Sequence, residues 1–345
     1  MTVIGSEARR IAVVGAGGVG GLLAAMLARA GHAVHVVARG AAVQAIGERG
    51  IVTRGPDGEH TVAVAQVAED AAAIGAVDVV LVTVKTWQLA ALAPRLVPLI
   101  GPRTLVIPLQ NGVEASEGLA PALGDAHVLG AVCRVISWIE RPGEVRWMGM
   151  RPSLTIGARH AVSNAPAAPD ASAASDARAA PDVPAASDAP AAPAAIEACA
   201  AALRAGGIEV LVSDTIERAR WLKFLFIAAY SAVGAVARVP LGALRADLTI
   251  RARLESVMRE VAAVAAARGV ALPPDTVALT MQRIDILPAD ATASMHRDIL
   301  EGRRSELHEL IGAAVRLGRE SRVPTPVSAA LYAELEPLER LARAQ

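Results

Sequence analysis

Aromatic side chains are scarce in this sequence, since Phe, Trp and Tyr together make up 2% of its 345 residues. Proteins that bind single-stranded nucleic acid stack bases on such rings, so a base-stacking surface is not expected here. An excess of charge of one sign is also missing, because 34 Lys and Arg residues balance 34 Asp and Glu residues. A chain without net charge has no general attraction for phosphate polymers or anionic lipids. The sequence therefore predicts a small-molecule ligand held in a local pocket, and no nucleic-acid partner.

The apolar runs of the sequence are not expected to cross a membrane. The densest one, residues 224–236, is interrupted by Tyr230 and Ser231 and falls short of the roughly 20 residues that a span requires. This run is predicted to be a buried helix, and no membrane partner is expected. The first residues lead into a strand and a glycine turn without the apolar core and cleavage site of a signal peptide, so cytoplasmic residence is expected.

Cysteine is nearly absent, with Cys133 and Cys199 the only two in the chain. Two cysteines cannot form a disulfide framework, and neither has a Cys or His neighbour at the spacing of a metal site. The histidines His127, His296 and His308 also lack partners at such spacing. Both thiols are predicted to be reduced and structural, and no metal is expected.

Short apolar runs alternate with helix-forming stretches in the first half of the chain. Residues 11–14 and 34–38 flank a helix-forming stretch at 21–30, which indicates a βαβ unit. Strand-like runs follow at 79–84 and 105–108, with an alanine-rich stretch between them. This alternation predicts an α/β fold with a Rossmann-type doubly wound sheet. Later strands that close this domain are expected at 128–139, 144–148, 153–156 and 209–212.

The composition changes abruptly at residues 161–195, which are almost entirely Ala, Pro, Ser and Asp. Such a segment has too few large apolar groups to offset its ordering entropy, and its prolines block regular helix. It is predicted to be a disordered surface loop, with a functional tail as the alternative. Because a strand-like run at 209–212 follows it, the insert is placed within the first domain.

Strand signals fade after residue 214 and helical periodicity replaces them. Residues 251–268 carry an apolar stripe of helical spacing that ends at Gly269, and residues 292–318 repeat the pattern. The sequence therefore predicts a Rossmann domain at 1–214, followed by an all-α C-terminal domain at 215–345. The second domain is expected to supply substrate-binding and catalytic residues, and an exposed apolar face on it could form a homodimer.

A glycine-rich turn follows the first predicted strand. The sequence Gly15-Ala16-Gly17-Gly18-Val19-Gly20 matches the dinucleotide-binding pattern in its proper place, between a strand and a helix. The first glycine permits the tight turn, the second lets the backbone approach a pyrophosphate, and the third allows helix and strand to pack closely. These six residues are predicted to bind a cofactor. The alternative is a glycine-rich turn without a ligand.

The residue that follows the second predicted strand indicates which dinucleotide binds. NAD-selective sites present Asp or Glu there to the ribose 2′-hydroxyl group. This chain has Ala38 and then Arg39, whose guanidinium can pair with a 2′-phosphate. The sequence therefore favours NADP(H), unless Arg39 is simply a solvated surface charge.

Five separated motifs resemble the ketopantoate reductase (2-dehydropantoate 2-reductase) family. The resemblance covers nearly the whole chain apart from the low-complexity insert. It implies a Rossmann domain joined to a helical domain, in which NADPH reduces the ketone of 2-dehydropantoate to (R)-pantoate in pantothenate biosynthesis. The motifs are Val82-Thr83-Val84-Lys85-Thr86-Trp87-Gln88, Gln110-Asn111-Gly112, Trp221-Leu222-Lys223, Ser294-Met295 and Arg304-Ser305-Glu306.

The resemblance implies roles for individual residues. Lys223 corresponds to the catalytic lysine, and Glu306 to an acid near both the cofactor and that lysine. Lys85 and Asn111 correspond to cofactor-side residues, with Asn111 also near the substrate. Ser294 corresponds to a hydroxyl group that binds substrate.

The chemistry suits these residue types independently of the resemblance. Hydride transfer to a ketone leaves negative charge on its oxygen, which an ammonium group at that oxygen can stabilise and protonate. Lys223 is the predicted proton donor, the alternative being a lysine whose head lies in solvent. For Ser294 the alternative is a helix N-cap. For Glu306 it is an ion pair with Arg303 or Arg304 on an exposed helix face.

The sequence departs from the family where substrate-contacting asparagines are usual, four and eight residues after the lysine and again near the next turn. Ile227, Ser231 and Leu241 occupy those places. Ser231 can still make one hydrogen bond and is predicted to bind substrate, whereas Ile227 and Leu241 cannot hydrogen-bond. A different, less polar 2-keto acid or ketone is therefore an open alternative. A non-catalytic NADP(H)-binding sensor is a third hypothesis.

Overall fold

The computed structural model describes residues 8–159 and 191–344. The chain divides into two compact units. Most of the predicted insert lies outside the described residues. The first unit comprises Met1–Val84, Gln88–Leu109 and Ser116–Ile216, and the second comprises Lys85–Trp87, Gln110–Ala115 and Glu217–Gln345.

Within residues 8–159 and 191–216, the first unit contains two five-stranded sheets. The short helical turns Ala71–Ala73, Thr86–Gln88 and Ala93–Leu99 are of the 3-10 type. The other elements from this half of the chain are, in order, β1 (Arg10–Val14), α1 (Gly18–Arg29), β2 (Ala33–Val37), α2 (Ala41–Arg49), β3 (Ile51–Gly55), β4 (Gly58–Val62), β5 (Gln66–Ala68), β6 (Val77–Val82), α3 (Leu89–Leu92), β7 (Ile100–Pro108), α4 (Ala115–Leu123), β8 (Leu129–Arg141), β9 (Glu144–Ala158), α5 (Pro193–Ala205) and β10 (Glu209–Val212).

The first sheet is parallel throughout, with the strand order β5-β2-β1-β6-β7. Its central strands are almost continuously apolar and buried, as parallel strands covered on both faces must be. The order reverses direction at β1, the strand that leads into the glycine turn. This arrangement confirms the predicted α/β class with a Rossmann-type doubly wound sheet.

The second sheet has the order β10-β9-β3-β4, with β8 also pairing with β9. It mixes parallel and antiparallel pairs. The predicted strands at 144–148 and 153–156 are one strand, β9, because pairing with β8 continues past the glycine and proline between them. Strands β3 and β4 were not predicted, since their sequences contain no apolar run. The last three residues of the predicted insert start α5, whose first residue, Pro193, favours a helix start.

Among the residues that the structure describes from 217 onward, every regular element of the second unit is a helix. Its core is formed by side chains from α6, α8, α11 and their neighbours. Helix α6 is long and apolar enough to cross a membrane, but 67% of its most apolar window is buried inside the protein, as expected of a core helix. The helices are α6 (Ile216–Ala237), α7 (Leu241–Ala246), α8 (Leu248–Ala267), α9 (Thr276–Ile286), α10 (Ser294–Leu300), α11 (Ile311–Glu320) and α12 (Pro326–Ala344).

The predicted continuous helix at 292–318 is wrong, because two helices, α10 and α11, occupy that range. Gly302 adopts a φ of +66°, and its N–H donates to the Ile299 carbonyl, which ends α10. The Ser305 N–H and hydroxyl then donate to the Glu339 carboxylate at 3.0 and 2.6 Å. This anchored turn between the two helices carries Glu306.

Candidate active site

Each of the three pattern glycines of the turn has its own structural reason. Gly15 has a φ of +105°, which other residues rarely adopt. A Cβ atom on Gly20 would lie 1.9 Å from the Gly15 carbonyl oxygen, so only glycine allows α1 to approach β1. A Cβ atom on Gly17 would meet no heavy atom within 4 Å. The bare backbone of Gly17 therefore faces open space, as a turn that receives a pyrophosphate requires.

The N-terminus of α1 fits an anionic ligand. Its N-cap residue is Gly17, which offers no side-chain hydrogen bond, and its first turn contains no acidic residue. The first N–H groups of a helix have no partner within the helix, and the helix dipole there favours negative charge. Gly18 packs against β8, since a Cβ atom there would lie 2.8 Å from the Ser137 carbonyl oxygen. The turn thus fits a dinucleotide phosphate.

Thr83 holds the turn in place, a role that the sequence analysis missed. Its Oγ1 atom lies 2.9 Å from the Val14 carbonyl oxygen and 2.7 Å from the Gly15 carbonyl oxygen. The hydroxyl group therefore binds the two carbonyls at the end of β1 where the chain turns toward α1. Its place directly after β6, beside β1 in the sheet, was the available signal.

Arg39 lies two residues after β2, and its side chain is exposed. Among the described residues its guanidinium makes no hydrogen bond or ion pair, so it can bind a ligand phosphate. Next to it, the Gly40 N–H donates to the Glu69 carboxylate at 3.3 Å. Glu69 follows β5, a strand that was not predicted, and this is why the sequence analysis missed an acid near Arg39.

In the second unit, a chain of hydrogen bonds joins three of the predicted site residues. The Lys223 Nζ atom donates to Asn111 Oδ1 at 2.8 Å, and Asn111 Nδ2 donates to Glu306 Oε2 at 3.1 Å. The Thr86 hydroxyl donates to the other carboxylate oxygen of Glu306, also at 3.1 Å. Glu306 is only 5% exposed, whereas Lys223 and Asn111 are half-buried. The ammonium and carboxylate groups thus hold the two ends of the Asn111 amide in one orientation.

Buried contacts hold the loop at residues 110–115, which carries Asn111, against the helix that carries Lys223. Arg220 of α6 is 3% exposed, pairs with Glu217 at 2.7 Å and donates to the Val113 carbonyl oxygen. A Cβ atom on Gly112, whose φ is +95°, would lie 2.9 Å from the Glu309 carbonyl oxygen. The loop at residues 110–115 is therefore closely packed on both sides.

The alternative interpretation of Glu306 as an exposed partner of Arg303 or Arg304 is wrong. Arg303 pairs with Asp298 at 2.7 Å, and the Arg304 guanidinium lies 4.6 Å from the centre of the Trp87 ring. Glu306 is buried and accepts hydrogen bonds from two uncharged groups instead. Thr86 and Trp87, which contact Glu306 and Arg304, lie within the Val82–Gln88 motif, and the sequence alone indicates no role for either.

The other predicted site residues are more dispersed. Lys85 is 46% exposed, and its Nζ atom lies 3.6 Å from Asp298. Ser294 is half-buried and is the first residue of α10. The N-cap alternative for Ser294 is wrong, because Ala293 occupies that position. Ser231 is fully buried, and its hydroxyl has no partner among the described residues.

Glu309, one turn beyond Glu306, is buried in part and lacks a partner for Oε2 among the described residues. Burial raises the pKa of this carboxyl group above its ordinary value of 4.5, and the charge of Glu306 raises it further. In the native state Glu309 therefore keeps its proton at pH values where the unfolded chain has lost it. The free energy of unfolding therefore decreases as the pH rises through the native pKa of this carboxyl group.

Glu309→Gln is therefore expected to raise the melting temperature at pH 7 to 8, because it removes a poorly solvated charge. The gain should shrink as the pH falls towards 4.5, where the carboxyl group is protonated in both states. Thermal unfolding followed by circular dichroism across this pH range measures the effect, with the exposed Glu209→Gln as a matched control. An equal gain at every pH would contradict this account.

Matches to known proteins extend over both units. The family models for ketopantoate reductase PanE/ApbA and for its C-terminal part match residues 11–160 and 215–339. The crystal structure of a PanE/ApbA family ketopantoate reductase from Ralstonia eutropha JMP134 is 31% identical in sequence and covers 97% of this chain and 99% of its own, with a TM-score of 0.80. The chain belongs to the ketopantoate reductase family.

One further relative and one further solved structure are similar to this chain. A 2-dehydropantoate 2-reductase from Mesorhizobium japonicum is 29% identical over 94% of this chain and 96% of its own. D-mandelate dehydrogenase, solved with NADH and anilino(oxo)acetate, shares the fold with a TM-score of 0.78 at 21% identity, covering 97% of this chain and 99% of its own.

Membership of the ketopantoate reductase family confirms several predictions. They are the family resemblance, the enzyme class of NADP-dependent oxidoreductase and the NADP(H) cofactor. A small 2-keto acid as substrate is consistent with the family. Within residues 8–159 and 191–344, no group of three or more His, Cys, Asp or Glu side chains is arranged to hold a metal ion.

Proposed function

We propose that this chain is an NADPH-dependent reductase of 2-keto acids, and that Lys223 protonates the ketone oxygen. The reaction that the family name indicates is reduction of 2-dehydropantoate to (R)-pantoate, a step of pantothenate biosynthesis. The observation that carries this proposal is the Lys223 ammonium group, held 2.8 Å from Asn111 and linked through it to Glu306. A sensor that only binds the cofactor has no need of such an ordered proton donor.

The distribution of lysine supports this role for Lys223. Lys85 and Lys223 are the only lysines in the chain, and the remaining residues among its 34 Lys and Arg are all arginines. Arginine cannot give up a proton under ordinary conditions, whereas the ammonium group of lysine can. The two lysines therefore occur only at the positions where the proposed function requires them.

The proposed mechanism assigns one task to each residue. Bound NADPH supplies the hydride. The Lys223 ammonium group hydrogen-bonds the ketone oxygen, stabilises the negative charge that develops there and donates the proton. Asn111 accepts from Lys223 and orients it, while Glu306, with Thr86, fixes the direction of the Asn111 amide. Ser294 would donate a hydrogen bond to the substrate carboxylate.

The cofactor-side residues follow the same proposal. The Gly15–Gly20 turn receives the pyrophosphate, Arg39 pairs with the 2′-phosphate, and Lys85 lies on the cofactor side of the reacting centre. Glu306 is also proposed to lie near the cofactor, as the family resemblance implies. Cytoplasmic residence, a homodimer and the domain limits 1–214 and 215–345 stay predictions.

Absorbance of NADPH during reaction with 2-dehydropantoate, with NADH run in parallel, tests this function. Consumption of NADPH should be faster than that of NADH. Arg39→Ala should raise the KM for NADPH roughly tenfold or more, since a charge-assisted hydrogen bond contributes about 1.5–3 kcal/mol, while the KM for NADH stays nearly unchanged. Exposed Arg103→Ala is the matched control. Equal use of both cofactors by the unmodified enzyme would rule out the proposed role of Arg39.

The alternative of a less polar 2-keto acid or ketone is favoured by Ile227 and Leu241, which replace amide side chains. The sensor hypothesis has a separate outcome in the same experiment. Saturable NADPH binding without turnover on any ketone would support the sensor and exclude the reductase.

A further inference from the structure

The residues one turn after Lys223 on α6 are apolar, whereas Arg220, one turn before it, is buried and paired with Glu217. Side chains three and four positions apart on a helix are neighbours, with Cβ atoms about 5–6 Å apart. Phe226 and Ile227 hold these two positions relative to Lys223, and both are half-buried, as Lys223 is. The three side chains therefore border one partly accessible stripe of the helix.

A stacked pair of aromatic rings fixes the position of Phe226 in this stripe. The rings of Phe226 and Tyr230 lie 5.4 Å apart and are nearly parallel, at 23°. Tyr230 is 5% exposed, and burial raises the pKa of its hydroxyl group to about 12, so the ring is uncharged at every ordinary pH. One helical turn after Lys223, Phe226 thus presents a partly exposed apolar ring whose position the stack fixes.

Amide side chains are absent from the three positions where the family resemblance implies substrate-contacting asparagines. Of the three positions that carry amides elsewhere in the family, Ile227 is apolar, Leu241 is fully buried and apolar, and Ser231 is fully buried. Lys223 donates to Asn111, Asn111 donates to Glu306, and Thr86 donates to the same carboxylate. These side chains suit the ketone end of a substrate.

We propose that the side chain of the substrate binds against Phe226 and Ile227, and that the enzyme prefers 2-keto acids with branched or aromatic apolar side chains to 2-dehydropantoate. This inference rests on the proposed function, since it places the ketone oxygen at Lys223. A substrate hydroxyl group on this surface would lose its hydrogen bonds to water without gaining a partner. An apolar side chain gains from removal of its surface from water.

Trimethylpyruvate is the decisive substrate, because it differs from 2-dehydropantoate by one missing hydroxyl group. The kcat/KM of the unmodified enzyme with NADPH should be about tenfold or more higher for trimethylpyruvate, a difference that one unpaired hydroxyl group can produce. Phenylpyruvate should also be reduced more efficiently than 2-dehydropantoate. A higher kcat/KM for 2-dehydropantoate would overturn the inference.

Ile227→Asn should reverse this preference, because the amide supplies the missing hydrogen-bond partner. Ile227→Thr, which keeps the β-branched shape of isoleucine, provides a second variant with the same expected direction. Val236→Asn is the matched control, since Val236 is half-buried on the opposite face of α6 and should leave the substrate ratio unchanged. An unchanged ratio in the folded Ile227 variants would also overturn the inference.

Binding without turnover gives an independent measurement. Oxamates are amides that resemble 2-keto acids and accept no hydride, so calorimetry on the NADPH complex can compare an N-alkyl with an N-hydroxyalkyl oxamate. The N-alkyl compound should bind more tightly to the unmodified enzyme, and the difference should fall in Ile227→Asn. Different results would contradict the proposed function and this inference. Absence of turnover with every 2-keto acid contradicts the proposed function, whereas turnover with 2-dehydropantoate preferred contradicts only this inference.

Discussion

Lys223→Ala is expected to slow the reduction of 2-keto acids roughly 10²–10⁴-fold at saturating substrate, the usual contribution of a positioned general acid. The affinity for NADPH should stay nearly unchanged, because the glycine turn and Arg39 are not altered. Stopped-flow absorbance measures the reduction step, and fluorescence titration of NADPH measures binding. Turnover at the normal rate would remove Lys223 from the proposed mechanism.

Two further variants distinguish the contribution of the positive charge of Lys223 from the contribution of proton donation. Lys223→Arg keeps a positive charge but cannot donate a proton at ordinary pH, so it should recover substrate affinity without recovering turnover. Lys223→Met keeps most of the aliphatic stem and should behave as Lys223→Ala does. Added primary alkylamines should restore part of the activity of Lys223→Ala, which a purely structural role for this lysine would not explain.

Chemical modification offers a test that needs no substitution, because the chain contains only two lysines. Acylation of lysine should abolish reduction, and peptide mass analysis should locate the modified residue. Lys85→Arg leaves Lys223 as the only lysine that can react. If complete acylation of that variant at Lys223 left the rate of reduction unchanged, the ammonium group would have no part in the reaction.

Gly20→Ala is expected to lower the free energy of unfolding of the first unit by about 3 kcal/mol. The added methyl group would lie 1.9 Å from the Gly15 carbonyl oxygen and 2.3 Å from Thr83 Oγ1. Backbone has to move to relieve such a contact, so the melting temperature should fall by roughly 6–12 °C. NADPH binding should be lost as well, because the turn between β1 and α1 is distorted.

Gly17→Ala is the matched substitution, with one methyl group added three residues earlier. Gly17 has a φ of −74°, and a Cβ atom there meets nothing within 4 Å, so stability should be unchanged or rise by about 0.4–1 kcal/mol. Its affinity for NADPH should nevertheless fall about tenfold, equivalent to 1.4 kcal/mol, because the methyl group enters the space of the pyrophosphate. Calorimetry of both variants measures stability and binding together. Unimpaired binding by a stable Gly17→Ala protein would contradict a phosphate site at this turn.

The sequence predicted the parallel sheet well and the second sheet poorly. Most residues of strands β1, β2 and β6 and the second half of β7 are buried, so each strand contains a visible apolar run. Strands β3 and β4 contain Arg54, Glu59 and His60, and are held by pairing with each other and with β9. Pairing of this kind depends on strands that are distant in sequence, so a local sequence pattern does not predict it.

The turn between α10 and α11 shows the same limit. Periodic apolar residues occur on both sides of it, so the pattern predicted one helix across 292–318. Gly302 interrupts that helix, and the buried Glu339 carboxylate holds Ser305 in the turn. The position of Glu306 depends on this long-range contact, which is why spacing alone placed it on a helix face.

The sequence by itself determined the glycine turn. Its geometry depends on backbone dihedral angles and on side chains that are absent at Gly15, Gly17 and Gly20, and a few adjacent residues specify both. The arrangement of side chains around Lys223, in contrast, is determined only by the tertiary structure. Asn111 and Glu306 are far from it in the chain, and the Arg220–Val113 and Ser305–Glu339 contacts bring their segments together. Hydrogen bonds within about 3 Å depend on the packing of several elements at once, which no single segment encodes.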